Sequence, residues 1–237
     1  MTLKEYTKKR HFGVTPEPSG KTPKGKKESS LIFVVQKHRA TQLHYDFRLE
    51  WKGVLLSWAV PKGPSLDPSV KRLAMQVEDH PLDYANFEGV IPEGEYGGGT
   101  VMVWDQGTWT AESEDVDAAL AKGDLKFNLH GKKLKGSWVL VRTRGFGSSN
   151  PGKSWLLIKH RDQYASTEDI TVEKPRSAIS NTLLAEIAHA GGGDVEKAAT
   201  GDPIQELSRL AKRLAAKQRA TTKQSPARSR QRSKKAS

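Results

Sequence analysis

Residues 43–51 read Leu-His-Tyr-Asp-Phe-Arg-Leu-Glu-Trp. Leu43, Tyr45, Phe47 and Leu49 are apolar, and between them stand His44, Asp46, Arg48 and Glu50. A period of two marks a strand, whose successive side chains point to opposite faces. One face is suited to a core. The other carries an imidazole, a carboxylate and a guanidinium within about 14 Å, at a rise of about 3.3 Å per residue. His38 lies six residues earlier, on the same side by parity if the strand continues, although Arg39–Gln42 favours a turn.

Working outward, residues 31–38, 54–60, 72–78, 100–110, 125–131, 136–143 and 155–161 are further short apolar runs, bounded by glycine and proline. With residues 43–51 they give eight strand candidates, so the fold class is mainly all-β. One short helix interrupts them at 114–122, with Ser113 as its N-cap and Gly123 at the C′ position. Alternation in 72–80 sets Arg72, Ala74, Gln76, Glu78 and His80 against Leu73, Met75 and Val77. The polar sets of the two strands predict one shared site. Ordinary solvent faces are dominated by Lys and Glu, which makes this collection of His, Asp and Arg a poor match to one.

Two imidazoles and one Asp suit a divalent transition metal and leave coordination positions open. Arginine's fork of N–H donors pairs with phosphate oxygens. A further His nearby can protonate a leaving group, so the set fits metal-assisted phosphoryl transfer. Two other patterns compete. Residues 147–154 fit the G-x-x-x-x-G-K-[ST] phosphate loop, but the run after them reads as a strand, and such a loop must open a helix. His44-x-Asp46 with His80 or His130 fits the facial triad of non-haem iron oxygenases. His130, beside Gly131, reads as a turn residue.

The 237 residues allow one domain with appendages. The absence of cysteine excludes a disulfide framework, a thiolate metal site and a cysteine nucleophile. No apolar run is long enough to span a membrane, and the N-terminus has no secretory pattern, so a cytoplasmic, nucleoid-associated monomer is expected. The net charge of +12 is concentrated at the ends. Residues 203–237 hold eleven basic residues and one acid, residues 1–30 hold eight and three, and the middle is slightly acidic. Such ends favour a polyanion such as DNA. The expected organisation is a flexible basic arm at 1–30, a β domain at 31–176, and a basic linker and tail at 177–237. The tail is helical at 183–190 and 203–219 and disordered beyond.

Residues 33–68, FVVQKHRATQLHYDFRLEWKGVLLSWAVPKGPSLDP, and 72–109, RLAMQVEDHPLDYANFEGVIPEGEYGGGTVMVWDQGTW, resemble the phosphoesterase domain of bacterial DNA ligase D. The resemblance covers roughly residues 9–165. It implies a compact β-barrel with its site in a crescent-shaped groove. It also implies a manganese-dependent enzyme (another divalent transition metal being the alternative) that removes 3′-terminal ribonucleosides or 3′-phosphates during non-homologous end joining. By resemblance, His38, His44 and Asp46 ligate the metal, while Arg48 and His80 contact the scissile phosphate, His80 as the acid. Lys62, Arg72, Glu78 and Tyr84 complete the set, with Arg10 and Glu17 from the N-terminal segment. His11 stands where the family has Asp. The family's domain is usually fused to a polymerase and a ligase, and no K-x-D-G adenylation signature occurs here. A stand-alone member is therefore expected, with polymerase, ligase or end-binding proteins as partners in trans. A non-catalytic DNA-end-binding module is the alternative. The 92–99 loop, PEGEYGGG, is either a glycine-dependent turn or a backbone edge near the substrate.

Overall fold

Each strand with one apolar face needs a partner for that face, and a sheet closed on itself supplies it. The computed structural model describes residues 3–20, 30–143 and 152–223, with side chains through Ala216. Its strands are β1 (Ile32–Arg39), β2 (Leu43–Trp51), β3 (Val54–Val60), β4 (Arg72–Gln76), β5 (Gly89–Ile91), β6 (Gly99–Ala111), β7 (Asp124–Gly131), β8 (Lys135–Arg142) and β9 (Ser154–Lys159). The sheet runs β1-β2-β3-β4-β9-β8-β7-β6, and β6 pairs back with β1. The result is a closed antiparallel barrel of the eight expected strands. β5 is an additional strand on the first residues of β6. At three residues it is too short for alternation to show in sequence.

Inside lie Phe33, Val35, Tyr45, Phe47, Leu49 and the buried indoles of Trp58, Trp104, Trp109, Trp138 and Trp155. A second apolar cluster sits on the outer wall, where Val34, Leu55, Val101 and Val103 are covered by Tyr6, Tyr84 and Phe87. Tyr6 belongs to helix α1 (Lys4–Lys8), and Tyr84 to a single 3₁₀ turn at Leu82–Asn86. Residues 3–20 therefore fold onto the barrel, although their Lys, Pro and Gly content reads as a flexible arm. Burial of Tyr6, which the composition of the segment does not announce, anchors them.

The interrupting helix, α2, spans Val116–Lys122 and is closed by Gly123 in the left-handed region at φ 81°. Its N-cap is Asp115, not Ser113, because the Asp115 carboxylate accepts the amide of Ala118. His130 lies on β7, paired with Thr108, rather than in a turn. Helices α3 (Ile170–Glu173), α4 (Leu184–Ala190) and α5 (Val195–Ala199) come after the barrel. Leu184, Ile187, Ala188 and Ala198 join the core, and buried Asp202 accepts the amides of Leu184 and Ala185 while its carboxylate lies 3.7 Å from Lys37 Nζ. The compact unit consequently runs from Met1 to Asp202, past Arg176. A second unit, Pro203–Ser237, contains helix α6 (Ile204–Lys223). Most of the 147–154 motif lies outside the described residues. It leads into strand β9, not into the helix that a phosphate-binding loop requires. Among the described residues, no helix is long and apolar enough to cross a membrane.

Candidate functional site

The β1–β2 hairpin puts His38 directly opposite His44, and Gln36 opposite Asp46. Opposite residues share a face, so the turn at 40–42 brings both imidazoles and Asp46 together on the outer wall. Their ligand atoms lie within 4.8 Å of one another. Asp46 Oδ2 is 3.7 Å from His38 Nδ1 and 3.7 Å from His44 Nε2. The remaining nitrogens face backbone carbonyls: His38 Nε2 lies 2.9 Å from Gly97 O, and His44 Nδ1 lies 3.1 Å from Gln42 O. A carbonyl only accepts, so each ring donates an N–H outward and turns its other nitrogen toward Asp46. This arrangement fixes the orientation of metal-binding histidines.

Burial lowers the proton affinity of His44. Burial alone would raise that of Asp46, but the Arg48 guanidinium leads the groups that hold its carboxyl far below the usual range. Two imidazoles and a carboxylate, pre-aimed and with positions to spare, fit a divalent transition metal.

Beside this cluster is a buried cationic side. Arg48 donates from Nε to Gln36 Oε1 (2.8 Å), from Nη1 to Ser57 Oγ (2.8 Å) and from Nη2 to Asp46 Oδ2 (3.2 Å). Arg10 donates from Nε to Glu17 Oε1 (2.8 Å), and its Nη1 lies 3.4 Å from Glu78 Oε1. His80 sits between the two guanidiniums. Its Nε2 is 3.2 Å from Arg10 Nη2, and its Nδ1 is 2.9 Å from the Glu78 carbonyl. Arg48 Nη1 also lies 3.0 Å from Nδ1, but it donates to Ser57 Oγ; in the matching neutral tautomer Nδ1–H donates to the Glu78 carbonyl and Nε2 accepts from Arg10. Burial, then Arg48, then Arg10 push His80 well below its ordinary 6.5. Tyr84 donates its hydroxyl to Glu17 Oε1 at 2.9 Å, and burial keeps that hydroxyl protonated. Arg10, Glu17, Arg48, Glu78, His80 and Tyr84 line, with the His38–His44–Asp46 group, a cavity of about 180 Å³.

Residues 36–142 match the family described as the DNA Ligase D 3'-phosphoesterase domain. The chain carries such a domain. Its relatives include the "Multifunctional non-homologous end joining protein LigD" of Pseudomonas aeruginosa, 53% identical over 77% of this chain and 22% of the relative. The "Multifunctional non-homologous end joining DNA repair protein LigD" of Mycobacterium tuberculosis is 48% identical over 68% of this chain and 20% of the relative. The match thus spans about a fifth of each relative's length.

Within this phosphoesterase domain, the cavity gathers Arg10, Glu17, His38, His44, Asp46, Arg48, Glu78, His80 and Tyr84. It does not gather Lys62 or Arg72. Lys62 is exposed beyond the end of β3. Arg72 opens β4 in register with Leu157, on the side of core residue Ala74, while Leu73 on the other side is 38% exposed. The expected faces of β4 are therefore exchanged. Alternation then ends at Gln76, and Val77, Glu78 and His80 all reach the cavity. Of the candidate second histidines, it is His38, not His80 or His130, that lies with His44 and Asp46 in a group able to hold a metal. His11 is not aimed at the cluster; its side chain is 79% exposed, with Nδ1 3.1 Å from Glu95 Oε2.

Sequence reasoning missed Gln36, Ser57, Lys9 and Tyr96. Gln36 was open to it, since parity with His38 puts it on the same face. Ser57 is the one polar residue in VLLSWAV. Lys9 and Tyr96 meet only through tertiary contact, with Lys9 Nζ 3.2 Å from the Tyr96 hydroxyl. A larger cavity of about 360 Å³ lies between Arg39, Val90–Glu93 and Gly191–Lys197. The only group of metal-ligating residue types found among the described residues lines the smaller one, so chemistry rather than size marks the candidate site.

Proposed function

We propose that this domain is a manganese-dependent DNA 3′-end-healing phosphoesterase. It removes a 3′-terminal ribonucleoside to leave a 3′-phosphate, removes 3′-phosphates, or does both in turn, so that a 3′-hydroxyl is left for end joining by polymerase, ligase and end-binding partners. The observation that carries this reading is the convergence of His38 Nδ1, His44 Nε2 and Asp46 Oδ2 beside two buried arginines and a neutral histidine. A metal held by those three atoms supplies Lewis-acid charge next to a phosphate.

The arginines orient the phosphate, since their forks match its oxygens. Glu17, Glu78 and Gln36 hold the two guanidiniums in place, so little reorganisation is needed when phosphate enters. His80 begins neutral. A phosphate that takes over the hydrogen bonds of Arg10 frees Nε2, and its negative charge offsets the guanidiniums that depress His80. The imidazole can then carry a proton to the leaving oxygen.

The test is a primer–template ending in a 3′-phosphate or a single 3′-ribonucleotide, incubated with and without manganese, magnesium or zinc. Manganese-dependent conversion of the 3′-phosphate end to a 3′-hydroxyl is expected, as is shortening of the ribonucleotide primer by its terminal nucleoside, with at least a hundredfold loss of both in His44→Ala. Metal-independent binding without turnover would instead support an end-binding module. Undiminished activity in His44→Ala would refute the metal assignment.

A further inference from the structure

We infer that Tyr96 is a stacking platform for the nucleoside beyond the scissile phosphate, so that the site favours removal of a 3′-terminal ribonucleoside over a bare 3′-phosphate. This rests on the phosphoesterase reading of the cavity.

Tyr96 lies in the 92–99 loop between β5 and β6 and lines the same cavity as the metal cluster. The next residue, Gly97, supplies the carbonyl that orients His38. The ring is therefore one peptide from an anchor of the metal site. The loop backbone is tied across its own turns, Glu95 N to Pro92 O at 3.2 Å and Gly98 N to Glu95 O at 2.9 Å. Tyr84, the other tyrosine lining the cavity, is buried, whereas Tyr96 is 49% exposed. Lys9 Nζ stands 4.6 Å from its ring centroid, and Arg10 Cζ stands 5.6 Å away. A half-exposed ring, fixed at the rim of a phosphate cavity and flanked by cations, suits a nucleobase. Any base can stack on it, and the cations favour the adjoining phosphate. A 3′-phosphate substrate has no nucleoside on the leaving side, so it gains nothing from the ring.

The alternative role is a clasp, because the Tyr96 hydroxyl bonds Lys9 and so holds the N-terminal segment. Two substitutions separate the roles. Tyr96→Phe removes the hydroxyl and keeps the ring; Tyr96→Leu removes both. Steady-state kinetics are measured for each on primers ending in a 3′-ribonucleotide and in a 3′-phosphate. Stacking predicts that Tyr96→Leu raises KM for the ribonucleotide primer about tenfold. It also predicts a loss at least fivefold greater than on the 3′-phosphate primer, with Tyr96→Phe close to the native protein on both. Equal losses on the two primers, or none on either, overturn the proposal.

A second measurement uses the unaltered protein and a primer ending in 2-aminopurine riboside. Quenching on binding that is lost in Tyr96→Leu supports stacking, and no quenching overturns it. If the native protein converts neither primer, the phosphoesterase reading fails on its own, while quenching still decides whether Tyr96 stacks.

Discussion

His80 shows how little a residue's identity says about its state. In sequence it reads as a proton donor; in the fold it is a neutral ring accepting from Arg10. Its proton affinity is depressed below 6.5, so the unfolded chain binds a proton near pH 6.5 that the folded protein does not. Stability is thus fully present above about pH 6.5 and falls as pH drops below it, by at most about 1.4 kcal/mol per pH unit for this group. His44 is lowered too and acts in the same sense. Asp46 and Glu78, depressed carboxylates, add their losses only below about pH 4. Urea denaturation without divalent metal at pH 7, 6 and 5 should show this decline, and His80→Gln should flatten it. An unchanged slope would mean that folding does not shift the titration of His80. Gln36 is the second case. Its amide accepts from Arg48 Nε and donates to the carbonyls of Tyr84 and Phe87 at 3.0 and 2.9 Å. Gln36→Leu strands one buried donor and two acceptors. It should cost about 2–3 kcal/mol by denaturation and lower kcat at least tenfold through a loosened Arg48. Native kcat in this variant would show that Arg48 is positioned without it.

At the scale of elements, the 92–99 loop is a glycine-dependent turn, one of the two readings its sequence allowed. Gly94 and Gly97 take positive φ, and the Gly97 carbonyl faces His38 of the proposed metal site. Gly99, which opens β6, is at φ 148°, and a Cβ there would fall 2.2 Å from the Arg39 carbonyl oxygen. Gly99→Ala must push the loop away from β1. The expected cost is about 1–3 kcal/mol, with a 10–100-fold weaker manganese affinity as His38 loses its orienting carbonyl. Calorimetric titration and a thermal melt check both; native affinity would detach the loop from the metal site. β2 was legible to the residue because its alternation is unbroken and the Lys52–Gly53 turn leads straight into β3, pairing Trp51 with Val54. β4 was misread because composition did not set its faces. Pairing with β3 and β9 did, turning small Ala74 inward opposite Trp155 and leaving Leu73 outside.

Across the whole molecule, positive charge and the metal cluster belong to different parts of the chain. The cluster and its arginines lie within Met1–Asp202, while Pro203–Ser237 holds eleven basic residues and one acid. Removing 203–237 should weaken DNA binding and flatten its salt dependence, by about 0.9 in the log–log slope for each phosphate that the tail neutralises. Turnover on a saturating short substrate should stay within about twofold. Loss of turnover at saturation would show that the tail serves chemistry as well as capture. By itself, the sequence determined the eight barrel strands, the residue types of the proposed metal and phosphate site, and the charge at the ends. All of these are local patterns, carried by neighbours two residues apart or by composition. Tertiary structure decided which β4 face turns outward, which nitrogen of each histidine meets Asp46, and how Arg10 and Glu17 reach His80 and Tyr84. Those contacts join segments about seventy residues apart. They exist only once barrel closure brings register, burial and backbone carbonyls to bear on side chains whose own sequence leaves their orientation open.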